Sequence, residues 1–309
     1  MRRINKSAIV TAAVFLITGI GLGAGMSDLQ FLPFRLDKSK TYDKGLNGTG
    51  FAPKLPTELE FAGEKVPLND REVRERLDRE LIVNTYRHGS TLLLMKKAAQ
   101  WLPVMEHILK EEGVPSDFLY LCMAESDLSH VVSPSGAAGF WQFMKSTAEQ
   151  YGLVVNEEVD QRYDIEKSTH AACKYLKDAY AKFGSWTMAA ASYNMGMAGL
   201  SKQTERQHFS NYYDLFLNTE TSRYVFRILA LKLIHQNPKE YGFFLGEDDL
   251  YEPYRYSKIQ VSGPVNSWVD FARENGTTYK HLRLHNAWIR DISLKNYEKK
   301  IYTVKIVRN

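Results

Sequence analysis

The chain has 309 residues, 44% of them hydrophobic and 25% charged, which is enough apolar material for one large or two small folded domains and too much for a disordered polymer. Its 40 lysines and arginines against 36 aspartates and glutamates give a formal net charge of +4, and the basic residues are dispersed rather than gathered into a stripe, which argues against a nucleic-acid partner. Only Cys122 and Cys173 are present; neither has a histidine or second cysteine at metal-ligand spacing, so no metal or other cofactor is expected, and two buried free thiols are expected rather than a disulfide.

In chain order, Arg2, Arg3 and Lys6 precede an uncharged apolar run from Ser7 to Met26. A basic end followed by such a run is the pattern of a signal peptide or an N-terminal membrane anchor, and its length leaves both open over 1–26. It directs the rest of the chain to the envelope of the cell. Residues 27–70 carry Pro33, Pro53, Pro56, Pro67 and the stretch GLNGTG without sustained periodicity, the composition of a linker or extended arm. From Glu72 to Gly113 apolar residues recur at threes and fours, a helical pattern ended by glycine. A second helical run, SDFLYLCMAES, follows Pro115, with Ser116 as its expected N-cap. After a loop with Pro134, Gly136 and Gly139, a helix is expected around WQFMKSTAEQYG, then others over 166–183, 185–200 and 220–236. The fold class expected is mainly α, with one all-helical domain over 71–245 and its motif core at 101–236. Beyond Gly246 the texture becomes strand, helix, helix, strand, so 246–309 is expected as a small α+β module of ββ-flanked, βααβ order.

One residue stands out. On a helix from Ser116, Phe118, Leu121, Cys122 and Glu125 fall at i, i+3, i+4 and i+7, the face an amphipathic helix buries. A carboxylate there loses hydration, and its pKa rises toward neutrality unless a cation reaches it. No Lys or Arg lies close in sequence. A Glu that keeps its proton at pH 7 is suited to general-acid catalysis; a Glu paired with a distant Arg, or swung outward at the helix end, is the plainer alternative. The segment that follows, SPSGAAGFWQF, combines small residues with aromatics and an amide, the make-up of a cleft wall.

The Glu125-Ser126 pair, the SPSGAAGFWQF segment, the ASYNMG segment (Ala191–Gly196) and the ETSRYV segment (Glu220–Val225) together resemble, in order and spacing, the motifs of the SLT-type lytic transglycosylase family. That family has a goose-type lysozyme-like fold. The match covers about 101–236, and the flanking regions resemble the membrane-bound lytic murein transglycosylase D branch. The resemblance implies that Glu125 is the sole catalytic acid and base in peptidoglycan, cutting the MurNAc-β-1,4-GlcNAc bond and leaving a 1,6-anhydromuramoyl end. It further implies sugar contacts for Gln142, an N-acetyl contact for Ser133, places beside Glu125 for Tyr193 and Asn194, and a hydroxyl partner for Glu125 in Tyr224. Ser126 joins the substrate-contact set, with a local backbone bond as its alternative. Phe140 and Trp141 depart from the family's usual aliphatic pair, and at least one is expected in the core. Asp127 is on another side of the helix and is not expected to be a second catalytic carboxylate.

Residues 258–307 resemble a divergent LysM module, with Asn286 near that family's frequent asparagine and Pro264 and Val265 in place of its usual Asp-Thr. This implies N-acetylglucosamine-polymer binding; a packing appendage is the alternative. Two other functions remain at this point: a hydrolytic lysozyme of the same fold, and a non-catalytic cell-wall scaffold. The expected partners are glycan strands of peptidoglycan, and the membrane if the N-terminal segment is retained. The expected location is the periplasm of a bacterial envelope.

Overall fold

The computed structural model describes residues 50–308; the apolar run 7–26 and the start of the expected arm lie outside the described residues. It is mostly helical, with a short hairpin at its beginning and a two-stranded sheet near its end.

The hairpin pairs β1 (Glu60–Phe61) with β2 (Glu64–Lys65) around Ala62 and Gly63, whose φ values of 53° and 80° match the twist a tight hairpin needs. Residues expected within an extended arm are therefore folded: Leu59, Phe61, Val66 and Leu68 are buried in the helical core. Five or six ordered residues are too few to declare a period against a proline-rich background. Asp117 and Lys232 fix the hairpin, with Ala62 N and Lys232 Nζ both donating to Asp117 Oδ2 at 2.6 Å.

The helices are α1 (Arg71–Tyr86), α2 (His88–Glu111), α3 (Phe118–Ser126), α4 (Lys145–Gln150), α5 (Ile165–Phe183), α6 (Trp186–Met195), α7 (Met197–Gln207) and α8 (Thr219–Gln236). Their start signals are side-chain caps: Asp70 for α1, Asp164 for α5, Ser185 for α6 and Asn218 for α8 each accept from a backbone N–H of the first turn. Ser116 does not cap α3, which starts at Phe118 without a side-chain cap bond. The run expected as one helix over 72–113 breaks at Arg87, and the one expected over 185–200 breaks at Gly196, whose φ of 81° turns the chain and leaves Tyr193 and Asn194 on the last turn of α6. Trp141 to Phe143 lie in the loop before α4 rather than in its first turn. Helix α8 packs on α1, α3 and α6, so it is the element that joins the distant motifs.

Beyond these, β3 (Tyr256–Val261), α9 (Trp268–Glu274), α10 (Tyr279–His285) and β4 (Tyr302–Val307) follow, with β3 and β4 antiparallel from Tyr256↔Val307 to Val261↔Tyr302. They share an apolar cluster of their own around Trp268, Trp288, Ile289 and Val304, which Val159 enters from the helical part. Buried Asn286 pins the sheet: its Nδ2 donates to Lys305 O at 2.8 Å, and Lys305 N donates to its Oδ1 at 2.7 Å. That is a packing role for the asparagine singled out in the sequence.

Candidate active site

Helix α3 is buried on nearly every face: Phe118, Leu121 and Cys122 are fully covered, and Leu119, Tyr120 and Met123 are buried as well. The amphipathic premise therefore fails, yet Glu125 remains distinctive. It sits where the end of this central helix reaches a pocket of about 240 Å3 lined by Asn84, Arg87, Glu125, Ser126, Asp127 and Arg227 among others. Asp127 closes the helix in the left-handed region, at φ 48°.

Tyr224, 2% exposed on α8, donates its hydroxyl proton to Glu125 Oε1. Burial pushes the Glu125 pKa up to about 7; the Tyr224 bond and the positive charge of Arg227 pull it down, and the negative charge of Glu220 adds to the rise. Burial prevails because a carboxylate loses more hydration in this pocket than one donor and one cation return. With Oε1 accepting from Tyr224, the acid proton is left for Oε2. Tyr224 and Tyr193 both have hydroxyls held well above the ordinary tyrosine value, chiefly by burial and then by the charge of Glu125, so both stay neutral donors.

Asn194 is tied to the first turn of α8: its Nδ2 donates to Glu220 Oε1 at 3.0 Å, and its Oδ1 accepts from Thr221 Oγ1 at 2.7 Å. Tyr193 donates its hydroxyl to Trp141 O at 2.8 Å and meets Phe143 and Tyr175 edge to face. Gln142, at φ 47°, donates Nε2 to Gly139 O at 2.8 Å and Val131 O at 3.1 Å, so its Oε1 is the end left for a ligand. Ser133 closes its own loop, its Oγ accepting from Ala137 N at 3.0 Å. Ser126 is buried and bonds back to Cys122 O at 3.4 Å, the local backbone bond anticipated for it.

The sequence-selected residues thus form two groups. Glu125, Ser126 and Tyr224 meet where α3 crosses α8. Ser133, Gln142 and Tyr193 belong to the wall made by the loop 131–143, and Asn194 ties α6 to α8; none of these four lines the small pocket at Glu125. Phe140 and Trp141 are both buried, with Trp141 Nε1 bonded to Thr169 Oγ1 at 2.9 Å. Cys122 and Cys173 are free and buried.

Several residues escaped the sequence reading. Arg162 holds the loop in place, donating to Gly136 O at 2.8 Å and Phe143 O at 3.1 Å while paired with Asp160. Gly139 must be glycine there, at φ 79°, because a Cβ would stand 1.9 Å from Arg162 O. Asn84 and Arg87 bring the end of α1 to the pocket, Arg87 pairing with Asp127 at 2.9 Å; no local pattern forty residues upstream signals this. Arg227 was also missed, although its place one turn beyond Tyr224 on the same helix was a signal that could have found it.

Comparison with known proteins places these groups in context. Residues 103–216 match the model of the Transglycosylase SLT domain, and residues 257–309 match that of the Soluble lytic transglycosylase C-terminal LysM-like domain. The chain is similar to "Membrane-bound lytic murein transglycosylase D" of Escherichia coli (strain K12), 30% identical over 258 residues covering 80% of this chain and 55% of the relative. The protein of that name from E. coli O6:H1 (strain CFT073) gives the same figures. A "Putative tributyltin chloride resistance protein" of Alteromonas sp. (strain M-1) is 28% identical over 120 residues, 37% of this chain and 58% of that one. The chain spans about half the length of the curated relatives it matches.

Proposed function

We propose that this chain, which carries an SLT transglycosylase domain joined to a LysM-like C-terminal domain, is a peptidoglycan lytic transglycosylase acting in the cell envelope. The observation that carries the reading is the single carboxyl of Glu125, half-buried at the pocket, pushed up to about 7 and bonded on one oxygen by Tyr224.

In this reading, protonated Glu125 gives its Oε2 proton to the oxygen linking MurNAc C1 to GlcNAc O4. The C1–O4 bond breaks, its electron pair stays on O4, and GlcNAc leaves with a free 4-hydroxyl. The positive charge left at C1 is sheltered by the acetamido oxygen of the same sugar. Glu125, now a carboxylate, takes the proton from the muramoyl C6 hydroxyl as O6 closes on C1, so the 1,6-anhydro ring forms and the acid is restored without water. A pKa near the working pH serves both halves of this cycle. Tyr224 steadies the carboxylate between them, since its bond favours the charged form.

The neighbouring carboxylates are engaged elsewhere, Asp127 by Arg87 and Glu220 by Asn194. This supports one acid-base residue over the opposed pair that hydrolytic glycosidases use. Gln142 Oε1 and the Tyr193 wall are assigned to sugar contacts, Asn194 to setting the wall against α8, Ser133 to the acetamido side of the cleft and Ser126 to the floor beside Glu125. The run 7–26 is assigned to export, as a cleaved signal or a retained anchor, with action in the periplasm.

Digestion of purified sacculi tests the reading. Anhydromuramoyl products support it, reducing muramoyl ends point to a lysozyme-like hydrolase, and uncut sacculi that still bind the protein point to a scaffold.

A further inference from the structure

The loop 131–143 that carries Ser133 and Gln142 lies outside the helices and paired strands, so its position depends on the groups that grip it. Two of its carbonyls, Gly136 O and Phe143 O, accept from the same Arg162 Nη1 at 2.8 and 3.1 Å. They bracket Gln142. The rest of that guanidinium clasps Asp160, Nε donating to Oδ1 at 3.0 Å and Nη2 to Oδ2 at 2.7 Å. The two side chains are only 11% and 9% exposed. A planar fork held on one edge by a carboxylate and at its tip by two carbonyls cannot turn without losing charge-assisted bonds.

Asp160 is also where the C-terminal module docks on the helical part. Its N–H donates to Trp288 O, and Glu158 O accepts from Arg290 N, each at 2.8 Å. Between them Val159 pairs with Ile289 and enters the module's apolar cluster, so sliding the module would strip Val159 of its cover. The module also reaches the single turn Gln161–Tyr163 from which Arg162 projects: Arg290 Cζ lies 4.7 Å from the centroid of the Tyr163 ring, within the range of a cation–π contact. One continuous path therefore runs from Trp288 and Arg290, through Asp160 and Tyr163, to Arg162 and the carbonyls on either side of Gln142.

We infer that Arg162 is a positioning residue for the cutting reaction, and that it transmits the docked position of the C-terminal module to the cleft wall that presents Gln142 Oε1 to the glycan. The module is then part of the frame of the cleft. The inference rests on the reading of that wall as a sugar contact.

The test is steady-state cleavage of soluble peptidoglycan glycan strands by the full chain. Arg162→Lys keeps a charge against Asp160 but loses the planar fork. It is expected to raise KM roughly tenfold, the size of one lost charge-assisted bond, with kcat kept within about threefold and the pH profile unmoved. Arg290→Ala, an exposed change on the module, is expected to raise KM about threefold. Because both act through Arg162, the double variant should match Arg162→Lys within about twofold instead of showing the product of the two effects. Hydrogen exchange at Ala138 and Gly139 is expected to quicken about threefold in Arg290→Ala while that of α3 stays unchanged. Parent-like KM in Arg162→Lys overturns the inference, as does a multiplicative double variant or a loop whose exchange ignores Arg290→Ala. An effect confined to thermal unfolding makes Arg162 a packing residue only, which also overturns it. If the wild type releases no anhydromuramoyl products, the proposed function fails while loop exchange still decides the coupling, so the two failures are distinguishable.

Discussion

The hydroxyl of Tyr224 and Oε1 of Glu125, 99 positions apart in the chain, share a hydrogen bond inside the contact between α3 and α8. Everything proposed for the chemistry depends on that pair, because one partner holds the proton and the other settles which oxygen carries it. Three consequences of the pair can be measured, and two further predictions concern the frame around it.

Replacing the acid with its isosteric amide removes the proton and keeps the shape. Glu125→Gln is expected to lower sacculus cleavage by at least about 10^3-fold, the upper range for a general acid-base residue, while sparing glycan binding. Turnover within tenfold of wild type would rule out a single-acid mechanism.

The same residue sets a pH dependence of stability. Its pKa is about 7 when folded and 4.5 in its ordinary state, so between those values the folded protein binds the extra proton. Stability associated with Glu125 is fully present below pH 4.5 and declines as pH rises through 7. A separation of that size corresponds to about 3 kcal/mol at alkaline pH. Glu125→Gln is therefore expected to unfold at a higher urea concentration than wild type at pH 8 and at nearly the same one at pH 4.5. Equal midpoints at both pH values would place Glu125 in water.

Tyr224→Phe deletes the bond that favours the ionised carboxylate, so the Glu125 pKa is expected to rise further. The activity profile should move to higher pH as its maximum falls roughly tenfold. A lowered rate with an unmoved profile would make Tyr224 a packing residue.

Glu80, 1% exposed on α1, receives Arg223 Nε at 2.7 Å and Arg79 beside it. Its Oε2 has no hydrogen-bond partner among the described residues. Because Arg223 precedes Tyr224, this pairing anchors the start of α8 to α1. Glu80→Ala leaves Arg223 without its partner and is expected to cost about 2–3 kcal/mol in urea unfolding.

A second carboxylate governs acid sensitivity. Burial alone would raise the Glu64 pKa, but bonds from Thr187, Trp186 and Ser185 at the start of α6 outweigh it and hold it below the ordinary value. Such a depressed group stabilises the protein above pH 4.5, and that contribution is lost as pH falls through its folded value. Glu64→Gln is expected to lower the unfolding midpoint at pH 7 and to narrow the difference from wild type under strongly acidic conditions; a constant difference across that range would deny Glu64 its charge-dependent role.

How much of this was readable in the sequence varied with the range of the interaction. Helix type and order were legible because periodicity is local, and the Glu125 to Tyr224 pairing was reachable through the ordered motifs. The reasoning from one apolar face reached Glu125 although α3 is covered all round, since periodicity cannot tell a surface helix from a central one. The hairpin at Glu60–Lys65, with its grip on α6 through Glu64, had too few residues to register. Arg87 and Arg162 act through backbone carbonyls and carboxylates far along the chain, which no spacing rule encodes. Gln142 and Asn194 were expected to face sugar, and much of their bonding capacity instead holds the walls together.

The most direct measurement is mass spectrometry of the muropeptides released from purified sacculi by the wild-type chain and by Glu125→Gln. Products ending in 1,6-anhydromuramoyl groups from the wild type, and none from the variant, are the expected result. Reducing muramoyl ends, or the same products from Glu125→Gln, would contradict the assignment of a lone proton-shuttling carboxyl to Glu125.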